Sequence, residues 1–80
     1  MQMIYQIDTS DYATWKSGFD ADSENRGAAG LSVLQIWRDA DSASKIAVLF
    51  EVNDRKRAQD WVKTEAGFGR SGTAQFLKTA

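Results

Sequence analysis

The chain has 80 residues, with 10 Lys and Arg against 11 Asp and Glu, a net charge of −1, and neither Cys nor His. Without thiolate or imidazole it has no disulfide, no usual zinc ligand set, no His- or Cys-held haem and no histidine general base. The balanced charge supplies no basic field to attract nucleic acid or an anionic membrane, and any chemistry must rest on Asp, Glu, Lys, Arg, Tyr, Ser, Thr, Asn or Trp.

Along the chain, Gln2 to Ile7 alternates with the period of a strand, with Met3, Tyr5 and Ile7 on one face and Gln2, Ile4 and Gln6 on the other. Asp8 then predicts a helix N-cap, with Asp11 at N3 and with Ile7 and Tyr12 as a hydrophobic staple. The first helix carries an apolar stripe of Tyr12, Trp15 and Phe19 opposite Ser17, Asp20 and Glu24, and it runs until the glycines at 27 and 30. Leu31 to Arg38 predicts a strand that is apolar on both faces, one holding Leu31, Val33, Gln35 and Trp37 and the other Ser32, Leu34, Ile36 and Arg38. The turn chemistry of residues 39–44 leads into a third strand, Lys45 to Val52, with Ile46, Val48, Phe50 and Val52 on its inner face, so the two strands form a hairpin. Asn53 or Asp54 caps a second helix with an inner stripe of Ala58, Trp61, Val62 and Ala66. Gly67 closes it, and Phe68 folds back on Val62. Thr73 to Thr79 predicts a short last strand.

The order is β-α-β-β-α-β, an α+β class chain of one domain over residues 1–80. Two helices cover one face of a four-stranded antiparallel sheet and leave the other open. That open face carries Ile4, Ala47 and Leu49 together with one of the two apolar sets of the second strand. A chain this short buries only about 60 to 65% of the surface its unfolded form exposes. With disulfides and metals gone, association through the open face with an identical chain is the expected source of further stability.

Three motifs dissolve on inspection. Gly67-Phe68-Gly69-Arg70-Ser71-Gly72 spells G-x-G-x-x-G but follows a helix, where a dinucleotide needs it after a strand and before a helix, so it reads as a helix end and a link. Asp20, Asp22 and Glu24 begin like a calcium loop, but Asn25 and Leu31 stand where Gly and Glu are needed. Arg55-Lys56-Arg57 opposes the dipole of its own helix and is expected to complement the acidic first helix beside it. An RNA-binding sheet of the same strand order would need spaced aromatics and a glycine on the third strand, and Lys45 to Val52 lacks both.

Tyr12-x-x-Trp15-Lys16-x-x-Phe19-Asp20, then Arg26, Gly30, Trp37-Arg38-Asp39, Val48-Leu49-Phe50-Glu51 and a helix with Ala58 and Trp61 span nearly the whole chain. Together these positions resemble the dimeric α+β barrel superfamily, in its small uncharacterised bacterial members that are cyclase-like or antibiotic-biosynthesis-monooxygenase-like. The resemblance implies a ferredoxin-like fold and a homodimer formed through the sheets. Members include cofactor-free oxygenases, haem degraders, polyketide cyclases and isomerases, so fold alone does not choose an activity. Haem-degrading members use a His ligand that this chain lacks. The Asn, Trp and Tyr of cofactor-free oxygenases have counterparts by residue type in Asn53, Trp61 and Tyr12.

The expectation is a cytoplasmic homodimer, with no cofactor, metal, nucleic acid or membrane partner, that binds or transforms a small aromatic or polyketide-like molecule. Its candidate pocket comprises Tyr12, Trp15, Asn53, Trp61, Arg26 and Arg38. Trp15 and Trp61 would form apolar walls, Tyr12 or Asn53 would hydrogen-bond a substrate oxygen, and Arg26 or Arg38 would balance an enolate or carboxylate. The alternative is a non-catalytic dimeric accessory or stress-related module whose aromatics are core and interface.

Overall fold

A computed structural model of the chain describes residues 1–67 and 72–80. The elements are β1 (Gln2–Asp8), α1 (Tyr12–Ala21), α2 (Ser23–Ala28), β2 (Leu31–Arg38), β3 (Lys45–Val52), α3 (Arg55–Gly67) and β4 (Thr73–Leu77). The strands form one four-stranded antiparallel sheet in the order β2-β3-β1-β4, the ferredoxin-like arrangement. The last strand ends at Leu77, two residues short of the expectation. The expected packing of Phe68 on Val62, and most of the glycine-rich motif, lie outside the described residues.

Alternation in β1 and β3 places Met3, Tyr5, Ile7, Ile46, Val48, Phe50 and Val52 on one buried face. Ring contacts tie the helices to it: Phe19 of α1 lies 6.2 Å from Phe50, and Trp61 of α3 lies 5.7 Å from Phe50 and 5.3 Å from Tyr5 between centroids. One sheet under one helical layer accounts for the shortest dimension, 18 Å against 30 and 28 Å for the other two. Among the described residues no helix covers the opposite face.

The first helical segment differs from expectation at both ends. Asp8 completes β1, paired with Lys45, and the N-cap is Asp11, whose carboxylate accepts the backbone N–H of Thr14. Asp11 takes the cap because the chain first turns at Thr9, whose N–H donates to Ser44 O at 2.7 Å, so the staple pairing of Ile7 with Tyr12 does not apply. The helix also breaks at Asp22 into α1 and α2, so the described residues form three helices in place of two. Gly30 ends this stretch at φ +72°, a left-handed conformation that suits glycine, and an added Cβ would lie 3.4 Å from both Asn53 Cβ and Asp54 N.

In β2 the pairing register shifts between Val33 and Gln35, a β-bulge at Leu34. Val33 pairs with Phe50 and Ile36 with Val48, so the helix-side set is Leu31, Val33, Ile36 and Arg38. Gln35 pairs with Leu49 and Trp37 with Ala47 on the open side. Neither of the two faces expected for this strand therefore survives intact: the bulge joins the front half of one to the back half of the other.

The cations of α3 do not pair with the acidic first helix as expected. Arg57 lies 3.7 Å from Asp54 and Lys56 3.9 Å from Asp60, both on or next to their own helix, while Arg55 stacks on Phe76 at 4.8 Å. Asp54 accepts the Arg57 backbone N–H at 3.1 Å, and its carboxylate offsets the cations at the helix start. The buried stripe of α3 is Ala58, Trp61 and Glu65, and Ala66, expected inside, is exposed.

Candidate functional site

A cleft of about 410 Å³ opens between α1 and α3 above β1. Tyr5 and Ile7 of β1 form its floor, Trp15, Gly18 and Phe19 one wall, and Trp61 and Glu65 the other. Thr9, Ser10, Asp11 and Thr14 line one part of its rim, and Asp22 lines it where α1 gives way to α2. The helical wall follows from the i, i+3, i+4 spacing of Trp15, Gly18 and Phe19, and the absence of a side chain at Gly18 keeps the middle of that wall low.

The aromatic lining is held in place by stacking. Trp15 and Phe19 stack at 4.8 Å between centroids, and the Arg26 guanidinium sits 3.7 Å from the Phe19 centroid. Phe19 is thus flanked by an indole and a cation, an arrangement that fixes its ring plane. Arg26 is itself buried and donates to the Phe19 carbonyl. Burial lowers its pKa, and the nearby Asp22, Asp20 and Glu65 carboxylates oppose that shift by favouring the charged form.

Trp61 is 7% exposed, and its buried indole Nε1 has no hydrogen-bond partner among the described residues. A buried donor left unpaired costs about 1–3 kcal/mol, so this indole N–H is a point of cost where α3 packs on the sheet. Glu65, one helical turn after Trp61, is 7% exposed and brings a carboxylate to the same wall.

Of the six residues expected to form the pocket, Trp15 and Trp61 line this cleft. Tyr12 lies beside it, 5.9 Å from Trp15, with the Arg38 guanidinium 4.5 Å from its ring, so Tyr12 and Arg38 are engaged with one another next to the cleft. Arg38 also donates to Ala43 O at 3.3 Å. Arg26 lies under Phe19, as an outer support of the wall. Asn53 is exposed beyond β3, where its backbone N–H donates to Gly30 O at 2.9 Å, and it is not among the lining residues. Tyr5, Asp11, Thr14, Asp22 and Glu65 were not among the expected residues. Glu65 alone had a readable signal, a carboxylate at i+4 from Trp61 on the inner side of its helix.

Among the described residues no group of three or more Asp and Glu side chains is placed to hold a metal ion, and no helix is long and apolar enough to cross a membrane. No family model matches the chain, and no curated protein matches it.

Proposed function

We propose that this chain is a homodimeric α+β barrel protein that binds a small, flat aromatic molecule in the cleft between α1 and α3, without a cofactor. The observation that carries the reading is the cleft itself, walled by Tyr5, Trp15, Phe19 and Trp61. Its size, about 410 Å³, lies within the range of small-molecule sites, and aromatic walls with a few convergent polar groups are their usual lining. The polar groups supply hydrogen bonds and charge, which suits binding, or a reaction driven by positioning, on a phenol-like or polyketide-like compound.

The dimer is the second half of the reading. On the open face Ile4, Ala47, Leu49 and Trp37 lie in adjacent registers across three strands. The large hydrophobic side chains exposed among the described residues, Val33, Leu34 and Trp37, are all on the edge strand β2, and of these Trp37 pairs on the open side. An identical chain packed over this face would cover its apolar centre and Trp37.

The cleft is tested by calorimetric titration of 4-ethylphenol, a neutral flat probe. Saturable binding at one site per chain is expected, with affinity lowered about tenfold, or roughly 1.4 kcal/mol, in Trp15→Ala. Absence of saturable binding by 4-ethylphenol, indole and naphthol alike would overturn the reading.

A further inference from the structure

The open sheet face carries both halves of a contact with itself. Across β2, β3, β1 and β4, one row of its side chains is Trp37, Ala47, Gln6 and Thr73, next to the row that holds Leu49 and Ile4. A hollow of about 1020 Å³ lies over the Trp37 row, with Asp8 and Lys45 at its end. Its floor is low because Ala47 ends at Cβ and Gly72 has no side chain. Trp37 stands at the β2 side of the hollow and is 46% exposed. An exposed indole and an unfilled hollow on one face suit a second copy, because a two-fold axis presents each to the other twice. Charge repeats the pattern. Asp8 and Lys45 pair in register, are both exposed, and take no part in the ion pairs formed among the described residues.

A two-fold axis lying between two stacked sheets runs either along the strands or across them. Across them, each strand lies over its own copy and the rows reverse, so Leu49 falls over the partner's Ala47, Ile4 over the partner's Gln6, and Lys45 over the partner's Glu51, which already accepts from the Gln2 amide. Along them, β3 of one chain lies over β1 of the other and each row lies over itself. Leu49 then meets the partner's Ile4, Lys45 the partner's Asp8, and Trp37 the Thr73 side of the partner's hollow. This second arrangement matches apolar to apolar, opposite charges, and indole to hollow. We infer that two copies pack sheet to sheet about an axis that runs along the strands between β1 and β3, with Trp37 of each in the hollow of the other and reciprocal Lys45–Asp8 pairs closing that end. This rests on the homodimer proposed above and specifies how its two copies meet.

The chain has no Cys, so introduced thiols report the arrangement without background. Gln35→Cys and Gln75→Cys place one thiol each on the exposed outer strands β2 and β4, in the row of Leu49 and Ile4. Each variant is treated alone, and the two are treated after mixing and subunit exchange, with a bismaleimide that spans about 10 Å, the spacing of stacked sheets. With the axis along the strands, residue 35 lies over the partner's residue 75, and the two copies of residue 35 lie at opposite edges, three strand spacings of about 4.8 Å apart. The mixture is expected to cross-link at least fivefold more than either variant alone. A second measurement uses charge. Asp8→Lys and Lys45→Asp should each weaken their own dimer, about fivefold at low salt, by setting like charges face to face, and on mixing should form the heterodimer in preference to either homodimer. Sedimentation reads both effects, and circular dichroism confirms that each variant is folded. If the wild type is a dimer but Gln35→Cys alone cross-links as well as the mixture, the arrangement is overturned while the dimer stands. If the wild type sediments as a monomer, the dimer reading fails and the arrangement with it.

Discussion

Gly72 shows how one position can constrain the sheet. A Cβ placed there would lie 2.5 Å from the Gln6 carbonyl oxygen, 2.6 Å from Ile7 Cγ2 and 2.9 Å from a Tyr5 ring carbon. Backbone cannot yield as a flexible side chain can, so Gly72→Ala must push β4 away from β1. The expected cost is about 1–3 kcal/mol, read from the midpoint of chemical denaturation. Two carboxylates carry a different kind of information. The Thr14 hydroxyl and backbone N–H bonded to Asp11, and the Gln2 amide bonded to Glu51 at 2.8 Å, hold both acids below their ordinary values of 3.8 and 4.5. The folded chain then binds these protons less readily than the unfolded chain. Their stabilisation is present above the ordinary carboxylate range and is lost as pH falls through the lower folded values. Asp11→Asn and Glu51→Gln are each expected to flatten the acid side of the stability curve below about pH 4.5, measured as denaturation midpoint against pH.

At the scale of the element, the bulge in β2 decides which side chains meet the core. A regular strand would put Leu34 and Ile36 on the same face. The extra residue instead lets Val33 and Ile36 both pair against inner residues of β3, while Trp37 goes to the open side. Removing Leu34 would therefore leave Leu31, Val33, Ile36 and Arg38 in strict alternation with their observed facing. A chain with Leu34 deleted is expected to keep a cooperative thermal transition and native-like amide dispersion. A chain with Val48 deleted, which reverses the facing of half of the central strand β3, is expected to lose both. Collapse of the Leu34 deletion to an unfolded spectrum would mean that the bulge is needed for more than phase.

For the whole molecule, the uncovered sheet face is the dominant feature. Ile4 and Leu49 pair across the central strands, with Gln35 and Gln75 outside them in the same row, so that row has an apolar centre and polar ends. That pattern supports the proposed dimer, because protein interfaces have an apolar core within a hydrogen-bonding rim. A stable interface takes about 800 Å² per partner, a modest share of the 5229 Å² that one chain exposes. Sedimentation of the wild type at micromolar concentration is expected to give twice the chain mass of 8.9 kDa. Leu49→Glu, a charge placed in the apolar centre, is expected to sediment as a monomer with its helical circular dichroism intact. A monomeric wild type would remove the dimer from the proposal and leave the cleft between the helices untouched.

Local pattern was enough for much of the fold. The bounds of β3, the facing of Met3, Tyr5 and Ile7, and the sharing of one helix face by Trp15 and Phe19 all follow from periods of 2 and 3.6, which neighbouring residues express without tertiary help. Composition alone also removed thiol and imidazole chemistry. The tertiary structure decided what period cannot encode. A bulge changes phase without changing residue types, so the facing of Ile36 and Trp37 depended on how β2 pairs with β3. The break at Asp22 and the cap at Asp11 reflect where the chain must turn back over the sheet. The cleft joins Tyr5, Trp15, Phe19, Asp22, Trp61 and Glu65 from β1, the first helical stretch and α3, up to 60 positions apart, and no local rule connects them.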